Sequence, residues 1–196
     1  MQHATVFSGF GGQGLLFAGK VLAEAAVIEG RDVSWMPSYG PEMRGGTASC
    51  TVIIADRPIG SPIVDAAESV VALNPPSLAK FEPLLVPGGL LIINASLVEA
   101  EPRRADIEAV PIACSALARE AGDDRFVSIV ALGALIARRP IVSAASIREA
   151  LGVVLGDRPA LVAADFAAFE RGHQAASSAV IKRRRARWRY RRRLRP

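Results

Sequence analysis

Cysteine and histidine are scarce in this chain of 196 residues, which holds two of each. Cys50 and Cys114 are too few for a disulfide framework, and with the distant His3 and His173 they form no metal-ligand cluster. An iron–sulfur cluster takes about four grouped cysteines, so we expect no such cluster in this chain. Scattered thiols of this kind are typical of a reducing, cytoplasmic setting.

Long apolar runs are also lacking, although 51% of the residues are hydrophobic. The longest run, residues 126–137, falls short of the ~20 apolar residues of a membrane-spanning helix and suits a buried helix instead. No Lys or Arg precedes Lys20, so the N-terminus lacks the basic region of a secretory signal. These features predict a soluble protein with a sizeable core.

Acidic residues are missing from residues 182–196, which hold ten of the 24 Lys and Arg side chains. The preceding 181 residues carry 14 basic and 19 acidic side chains, a net charge of −5, against +5 for the whole chain. The basic character therefore belongs to the tail, where Trp188 and Tyr190 are suited to stacking on bases. Three interpretations stay open: a disordered tail, a segment that docks on an acidic partner subunit, or a nucleic-acid-binding segment.

Strand and helix patterns alternate along the chain and predict an α/β fold. We expect a Rossmann-like, mostly parallel sheet flanked by helices, with a helix-rich C-terminal half, in one domain over residues 1–180. Residues 181–196 form the basic tail. The predicted strands are 4–8, 32–36, 47–55, 68–74 and 89–95, with a further short one in "IEAVPIA"; the predicted helices are 13–29, 77–85, 113–121, 126–138, 146–155 and 165–177.

A glycine-rich turn, "SGFGGQGLLFAGK" at residues 8–20, joins the first predicted strand to the first helix. Gly9, Gly11 and Gly14 have the G-x-G-x-x-G spacing of a phosphate-binding turn. Glycines let the backbone approach a ligand, and the helix start offers free N–H groups and the positive end of its dipole. We expect this turn to bind an anion such as phosphate.

Two well-known uses of such a turn do not fit the surrounding residues. An NAD site needs an acidic residue at the end of the second strand, whereas Asp32 lies at the start of that strand. A P-loop needs Gly-Lys-Ser/Thr, whereas two leucines follow Gly14 and Lys20 lies six residues beyond it. The pattern disfavours an NAD enzyme and a P-loop NTPase, and it leaves Lys20 as a cation that reaches back toward the turn.

A second loop, "PSYGPEMRGGTAS" at residues 37–49, follows the second predicted strand. Ligands of open α/β sheets bind beyond the carboxyl ends of strands, so this loop and the glycine turn share an edge if the two strands are parallel. The planar guanidinium of Arg44 suits phosphate or carboxylate, and Gly45 and Gly46 let the backbone approach the bound group. Tyr39 is available for stacking or hydrogen bonding.

Taken together, five stretches resemble the gamma subunits of the 2-oxoacid:ferredoxin oxidoreductases, over roughly residues 6–155. The resemblance implies coenzyme A-dependent oxidative decarboxylation of a 2-oxoacid such as 2-oxoglutarate. It places thiamine diphosphate and the iron–sulfur clusters on partner subunits, one binding thiamine diphosphate and one ferredoxin-like. The stretches are "GFGGQG", "SYGPEMRGGTASCTVIIADRPIGSPIV", "VALNPPSLAKF", "PGGLLIINASLV" and "ALGALIA".

The resemblance gives this chain a binding role and no catalytic residue: it helps to bind coenzyme A and to close the active site. Ser128 departs from the family, whose members often have Asn at this point. Two alternatives are a stand-alone Rossmann-like nucleotide-binding module and a nucleic-acid-associated protein acting through its tail. The expected coenzyme A contacts are Gly9, Gly11, Gly12, Gln13, Gly14, Lys20, Ser38, Tyr39, Arg44, Gly45 and Gly46.

Overall fold

A computed structural model describes residues 1–39 and 47–179, without the side chains of Tyr39 and Thr47. The strands are β1 (Gln2–Phe10), β2 (Asp32–Tyr39), β3 (Thr47–Ala55), β4 (Ala67–Ala72), β5 (Leu85–Asn94) and β6 (Glu108–Ile112). The helices are α1 (Leu15–Ile28), α2 (Pro75–Phe81), α3 (Cys114–Glu120), α4 (Val127–Arg138), α5 (Ala144–Leu155) and α6 (Pro159–Ser178). Short 3-10 turns cover Glu82–Leu84 and Asp124–Phe126.

The described strands form one mixed sheet in the order β2-β3-β1-β4-β5-β6. β1, β4, β5 and β6 pair in parallel, while β3 runs antiparallel to both β1 and β2. β2 therefore runs in the same direction as β1, with β3 between them. The predicted α/β fold is confirmed, and the reversal of β3 is the feature that the alternation of strands and helices did not reveal.

The two faces of the sheet are covered differently. Alternate side chains such as Phe7, Val71 and Ile92 point to one face, where they pack with residues of α1, α3, α4, α5 and α6. We call it the helical face. Their neighbours Val70 and Leu91 point to the other face, which is packed by α2 and by the irregular stretch between β5 and β6. We call it the α2 face. The helix-rich C-terminal half thus covers one face.

The tightest packing on the helical face lies between α4 and α6. A Cβ atom built on Gly172 would lie 1.8 Å from the carbonyl oxygen of Val130, and one on Gly133 would lie 2.0 Å from that of Phe169. Because such distances are far below van der Waals contact, the two helices touch backbone to backbone and require glycine at both positions. This contact positions the start of α4, which in turn contacts the glycine turn.

The largest boundary difference from the sequence prediction is at α6, which begins at Pro159 and not at residue 165. Helix α2 also begins earlier than the predicted residue 77, because Pro75 and Pro76 lie in its first turn. Proline is tolerated there because those N–H groups have no partner within the helix. Asn74 caps the helix, its side chain accepting a 2.8 Å hydrogen bond from the backbone N–H of Ser77. Across residues 1–39 and 47–179, no helix has the length and apolar character needed to cross a membrane.

Candidate anion-binding site

The glycine turn connects β1 to α1 at the carboxyl edge of the sheet. Gly12 and Gly14 have φ angles of 95° and 74°, a region that side chains rarely adopt. Gln13 closes the turn: its backbone N–H donates to the carbonyl oxygen of Phe10 at 3.2 Å, and its Oε1 accepts from the Phe10 N–H at 2.7 Å. Because Oε1 is occupied in this way, the Nε2 amide is the end of Gln13 that can donate to a ligand.

Polar side-chain atoms lie close to two glycines of the G-x-G-x-x-G pattern, Gly9 and Gly14. A Cβ on Gly9 would lie 2.4 Å from Oε1 of Gln13, and one on Gly14 would lie 2.7 Å from Oγ of Ser128. The Ser128 hydroxyl donates a 3.0 Å hydrogen bond to the carbonyl oxygen of Gly14. The first turn of α4 therefore fixes the point at which α1 begins, and Ser128 makes a polar contact at the position where the family often has Asn. Gly11 is exposed at the tip of the turn.

The start of α1 is electrostatically open to an anion. No described side chain caps it, and no acidic residue lies in its first turn. The backbone N–H groups of Leu15, Leu16 and Phe17 have no acceptor within the helix, and the helix dipole adds positive potential at the same end. This arrangement supports the prediction that the turn binds an anion. The binding groups here are backbone amides and not a side-chain cation.

An open cleft of about 280 Å³ adjoins the turn and is lined by Gly12 and Gln13. Its other walls come from residues that the sequence prediction did not include: Ser115 in the first turn of α3, Val127 at the start of α4, and the side chains of Arg119, Asp124 and Arg125. The amides at the start of α3 are occupied, because Asn94 Oδ1 accepts from the Ser115 N–H and Ser96 Oγ accepts from the Ala116 N–H, each at 3.3 Å. The Val127 N–H at the start of α4 donates to the carbonyl oxygen of Asp124. Among the helix starts beside this cleft, the start of α1 therefore has the amides that are open to an anion.

Arg119 and Arg125 lie at the rim of this cleft, and each is paired with an aspartate. Arg119 Nε lies 3.0 Å from Oδ1 of Asp124, and Arg125 Nη2 lies 2.6 Å from Oδ2 of Asp123. The hydrogen bonds from Arg125 lower the pKa of the Asp123 carboxyl, so that pair stays ionised. Both guanidinium groups are mostly exposed, and an incoming anion can therefore bind to them. Their position, more than 100 residues after the glycine turn, gave the sequence no local signal.

The second loop begins and ends at the same edge as the glycine turn. Gly9, Ala48 and Tyr39 form one cross-strand row, as do Ser8, Ser49 and Ser38. β1 and β2 run in the same direction, which is the condition under which the sequence placed the two loops at one edge.

Ser38 is exposed on the α2 face, away from the helix starts, because it shares a row with Ser8, whose hydroxyl donates to Oγ of Ser77 in α2 at 2.8 Å. Arg44, Gly45 and Gly46 lie outside the described residues, as does the side chain of Tyr39. Their predicted roles stay predictions.

Lys20 lies apart from the turn. It is exposed on α1, five residues beyond the first helical residue, which places its backbone about 8 Å further along the helix axis. Side chains of a helix tilt toward its N-terminus, so an extended Lys20 side chain points toward the turn without being part of it. The structure therefore brings the glycines and Gln13 together with Arg119 and Arg125, and it leaves Lys20 at the periphery.

The two cysteines and His3 are buried away from the cleft surface. Burial raises the pKa of the Cys50 and Cys114 thiols to about 12, so both stay protonated and serve as core residues. Burial also lowers the pKa of His3, which is hydrogen-bonded to Ser69 at the start of β1, near the opposite edge of the sheet. Within residues 1–39 and 47–179, no three His, Cys, Asp or Glu side chains are grouped to hold a metal ion.

Comparison with known proteins gives a consistent relationship. The ketoisovalerate oxidoreductase subunit VorA of Methanothermobacter thermautotrophicus is 42% identical over 130 residues, which are 66% of this chain and 27% of VorA. The chain thus spans about a quarter of the length of that relative. The 2-oxoglutarate synthase subunit KorC of Methanocaldococcus jannaschii is 33% identical over 154 residues, covering 77% of this chain and 82% of KorC.

A solved structure with the same fold is the keto/oxoacid ferredoxin oxidoreductase gamma subunit of Geobacter sulfurreducens. It is 31% identical, with a TM-score of 0.81, and the match covers 92% of this chain and 99% of the Geobacter chain. In addition, residues 4–175 match the family described as pyruvate ferredoxin/flavodoxin oxidoreductase. This match includes every described strand from β2 onward, helices α1 to α5, the glycine turn and the cleft beside it. The chain belongs to the pyruvate ferredoxin/flavodoxin oxidoreductase family.

Proposed function

We propose that this chain is the gamma-type subunit of a coenzyme A-dependent 2-oxoacid:ferredoxin oxidoreductase, in which it binds the phosphate groups of coenzyme A. The observation that carries the proposal is the uncapped start of α1 beside a cleft rimmed by two arginines. Coenzyme A carries a diphosphate and a ribose phosphate, so it needs several anion-binding groups close together. Backbone amides at a helix start and guanidinium forks are the groups that proteins use for this purpose.

Within the proposed site, each group has a distinct task. The amides of the α1 start donate hydrogen bonds to one phosphate, while Arg119 and Arg125 bind a second charged group across the cleft. The Nε2 amide of Gln13 donates from the turn between them. Arg44, Gly45 and Gly46 of the second loop also bind coenzyme A, as the family resemblance implies, and help to close the active site.

The redox chemistry belongs, in this proposal, to partner subunits. The two cysteines do not fit an iron–sulfur cluster, because both are buried, protonated and more than 60 positions apart in the sequence. Thiamine diphosphate on one partner supplies the carbanion chemistry, and clusters on a ferredoxin-like partner accept the electrons. The buried free thiols also support a location in the reducing cytoplasm.

Among 2-oxoacids, we propose 2-oxoglutarate as the substrate of the assembled enzyme. The match to the 2-oxoglutarate synthase subunit KorC of Methanocaldococcus jannaschii covers 77% of this chain, whereas the match to the ketoisovalerate subunit VorA covers 66% of it.

The deciding experiment is purification of the tagged full chain from its native cell, followed by identification of co-purifying subunits and an activity assay. We expect a thiamine-diphosphate-binding subunit, a Cys-rich ferredoxin-like subunit, and 2-oxoglutarate oxidation that requires coenzyme A. A chain that purifies alone and binds nucleotides would support a stand-alone binding module instead. Activity with ketoisovalerate but not 2-oxoglutarate would overturn the substrate assignment and leave the subunit assignment intact.

A further inference from the structure

Asn94 is a fully buried polar side chain at the carboxyl end of β5, and its hydrogen bonds join three elements of the fold. Its Oδ1 accepts from the backbone N–H groups of Ser96, at 3.2 Å, and Ser115, at 3.3 Å. Its Nδ2 donates to Oγ of Ser115 at 3.0 Å and to the carbonyl oxygen of Leu73, directly after β4, at 3.4 Å. The first turn of α3 is therefore tied to the ends of β4 and β5.

These contacts fix which end of the Asn94 amide faces Ser115. A backbone N–H group can only donate, so the Asn94 atom that receives two of them is the oxygen. The NH2 end therefore faces Oγ of Ser115, and that oxygen is the acceptor. A serine hydroxyl can accept and donate at the same time, so its proton stays available for another partner. Within residues 1–39 and 47–179, the Ser115 hydroxyl donates to no acceptor.

The available proton of Ser115 lies at the wall of the cleft beside the glycine turn. Gln13 lines the same cleft in the same state: its Oε1 accepts from the Phe10 N–H, and its Nε2 is the end that can donate. The open amides at the start of α1 are donors as well. Asp124 also lines the cleft, but its carboxylate is engaged by Arg119 at 3.0 Å. The cleft is thus supplied with hydrogen-bond donors from α1, the glycine turn and α3.

Asn94 also connects the Ser115 wall of the cleft to the glycine turn. A Cβ atom on Gly9 would lie 3.1 Å from Cβ of Leu73, and the Leu73 N–H donates to the carbonyl oxygen of Ser8 at 2.9 Å. The residue whose carbonyl Asn94 holds is therefore in contact with the strand end from which the glycine turn begins. One buried amide fixes the start of α3 relative to that turn.

We propose that Ser115 donates a hydrogen bond to a phosphate oxygen of coenzyme A and that Asn94 positions this hydroxyl. The inference rests on the proposed function, because it assigns a further contact in the same cleft. The phosphate oxygens of coenzyme A are acceptors at neutral pH, so they match a lining of donors, and hydrogen bonds to charged acceptors are the stronger ones. Three observations carry the assignment: the fixed Asn94 amide, the available Ser115 proton, and the place of Ser115 in the cleft wall.

The test is steady-state kinetics of the assembled enzyme, with coenzyme A and the 2-oxoacid varied in turn. Ser115→Ala is expected to raise the KM for coenzyme A about tenfold, because a hydrogen bond to a charged group is lost. The kcat and the KM of the 2-oxoacid are expected to change about twofold or less. Ser115→Thr keeps the hydroxyl and is expected to restore the KM for coenzyme A.

The matched control is Ser96→Ala. The Ser96 hydroxyl also serves the start of α3, since its Oγ accepts from the Ala116 N–H at 3.3 Å, but Ser96 is exposed and does not line the cleft. We expect this variant to change the KM for coenzyme A about twofold or less. The control separates the loss of a ligand contact from a general disturbance of the start of α3.

The positioning role is tested by Asn94→Asp. The introduced carboxylate accepts where Nδ2 donated, so the Ser115 hydroxyl turns its proton toward the carboxylate and away from the cleft. We expect the KM for coenzyme A to rise about tenfold in the parent and about twofold or less in the Ser115→Ala background, because Asn94 acts through that hydroxyl. Urea denaturation checks the folding of each variant, and the two Ser115 variants test the phosphate contact independently of Asn94→Asp.

Three outcomes contradict different parts of the inference. An enzyme that requires coenzyme A but keeps its KM in Ser115→Ala would refute the phosphate contact and leave the proposed function intact. Equal effects of Asn94→Asp in the two backgrounds would refute the positioning role. Oxidation of the 2-oxoacid without any need for coenzyme A would overturn the proposed function itself, together with the role of Ser115.

Discussion

The two faces of the sheet differ in how closely other elements cover them. On the helical face, five helices pack tightly enough for α4 and α6 to touch through their backbones at Gly133 and Gly172. On the α2 face, one short helix and an irregular stretch leave a groove of about 320 Å³. The glycine turn and its arginines depend on the closed face, because α3 and α4 carry the other walls of the cleft. Close packing on the helical face thus positions the walls of the anion site.

The largest expected effect comes from breaking the helix contact with Gly172→Ala. The new Cβ would lie 1.8 Å from the Val130 carbonyl oxygen, so α4 and α6 must separate, and we expect a loss of about 3 kcal/mol or more in unfolding free energy. Urea denaturation measures this loss. The control is Gly152→Ala in α5, where a Cβ meets nothing within 4 Å, and we expect a gain of about 0.5–1 kcal/mol. Equal effects of the two variants would refute the backbone contact.

An intermediate effect on the free energy of unfolding is expected from Asp165→Asn in α6, on the helical face. Burial raises the pKa of the Asp165 carboxyl to about 6 in the folded protein, above the value of 3.8 in an unfolded chain. The folded state therefore binds the proton more tightly, so stability falls as the pH rises from about 4 to 6 and stays reduced above that range. A shift of this size corresponds to about 1–3 kcal/mol.

Thermal unfolding at several pH values tests this expectation. Asn cannot ionise, so Asp165→Asn is expected to be more stable than the parent at pH 8 and to lose that advantage at pH 4. A pH-independent difference between the Asp165 variant and the parent would contradict the buried, proton-binding carboxyl.

The smallest expected effect distinguishes the two faces as binding surfaces. In the assembled enzyme, Arg119→Ala/Arg125→Ala is expected to raise the KM for coenzyme A about tenfold, since two charge-assisted hydrogen bonds are lost. Ser38→Ala, on the α2 face, and Lys20→Ala, at the periphery, are expected to change it about twofold or less. Unfolding free energies should stay within about 1 kcal/mol, because the arginine pairs are exposed.

Steady-state kinetics with coenzyme A and the 2-oxoacid varied in turn separates these cases. Arg171→Ala, which removes an exposed pair with Glu120 away from the cleft lining, is the matched control for a lost surface arginine. A change confined to the KM of the 2-oxoacid would place the arginines near the other substrate and refute the coenzyme A assignment.

Local sequence patterns predicted most of the fold because they report on burial. The alternating segment at Thr47–Ala55 was predicted with its correct bounds, and the apolar run before Ala137 is the fully packed helix α4. The direction of β3 was not predictable in the same way. Its antiparallel pairing depends on its partners in β1 and β2, which the residues of β3 alone do not specify.

The candidate site was predictable only where its residues are neighbours in the chain. Gly12, Gln13 and Gly14 form a turn whose conformation follows from glycine at positive φ, so the sequence identified it directly. Arg119 and Arg125 enter the same cleft from beyond β6, and their pairing with acidic neighbours made them look like ordinary surface residues. Sequence reasoning favoured Lys20 instead, because Lys20 is close to the turn in the sequence, whereas Arg119 and Arg125 are close to it only in the folded structure.

The reversed strand β3 has a mechanical consequence for the two loops at the carboxyl edge. The glycine turn follows β1, and residues 40–46 connect β2 to β3. Continuous main-chain pairing joins all three strands. The separation between the β1 and β2 anchor points is thus two strand spacings, about 9.5 Å. Substitutions in either loop change the side chains that face a ligand. The distance between the anchor points of the two loops is set by main-chain hydrogen bonds and does not depend on those side chains.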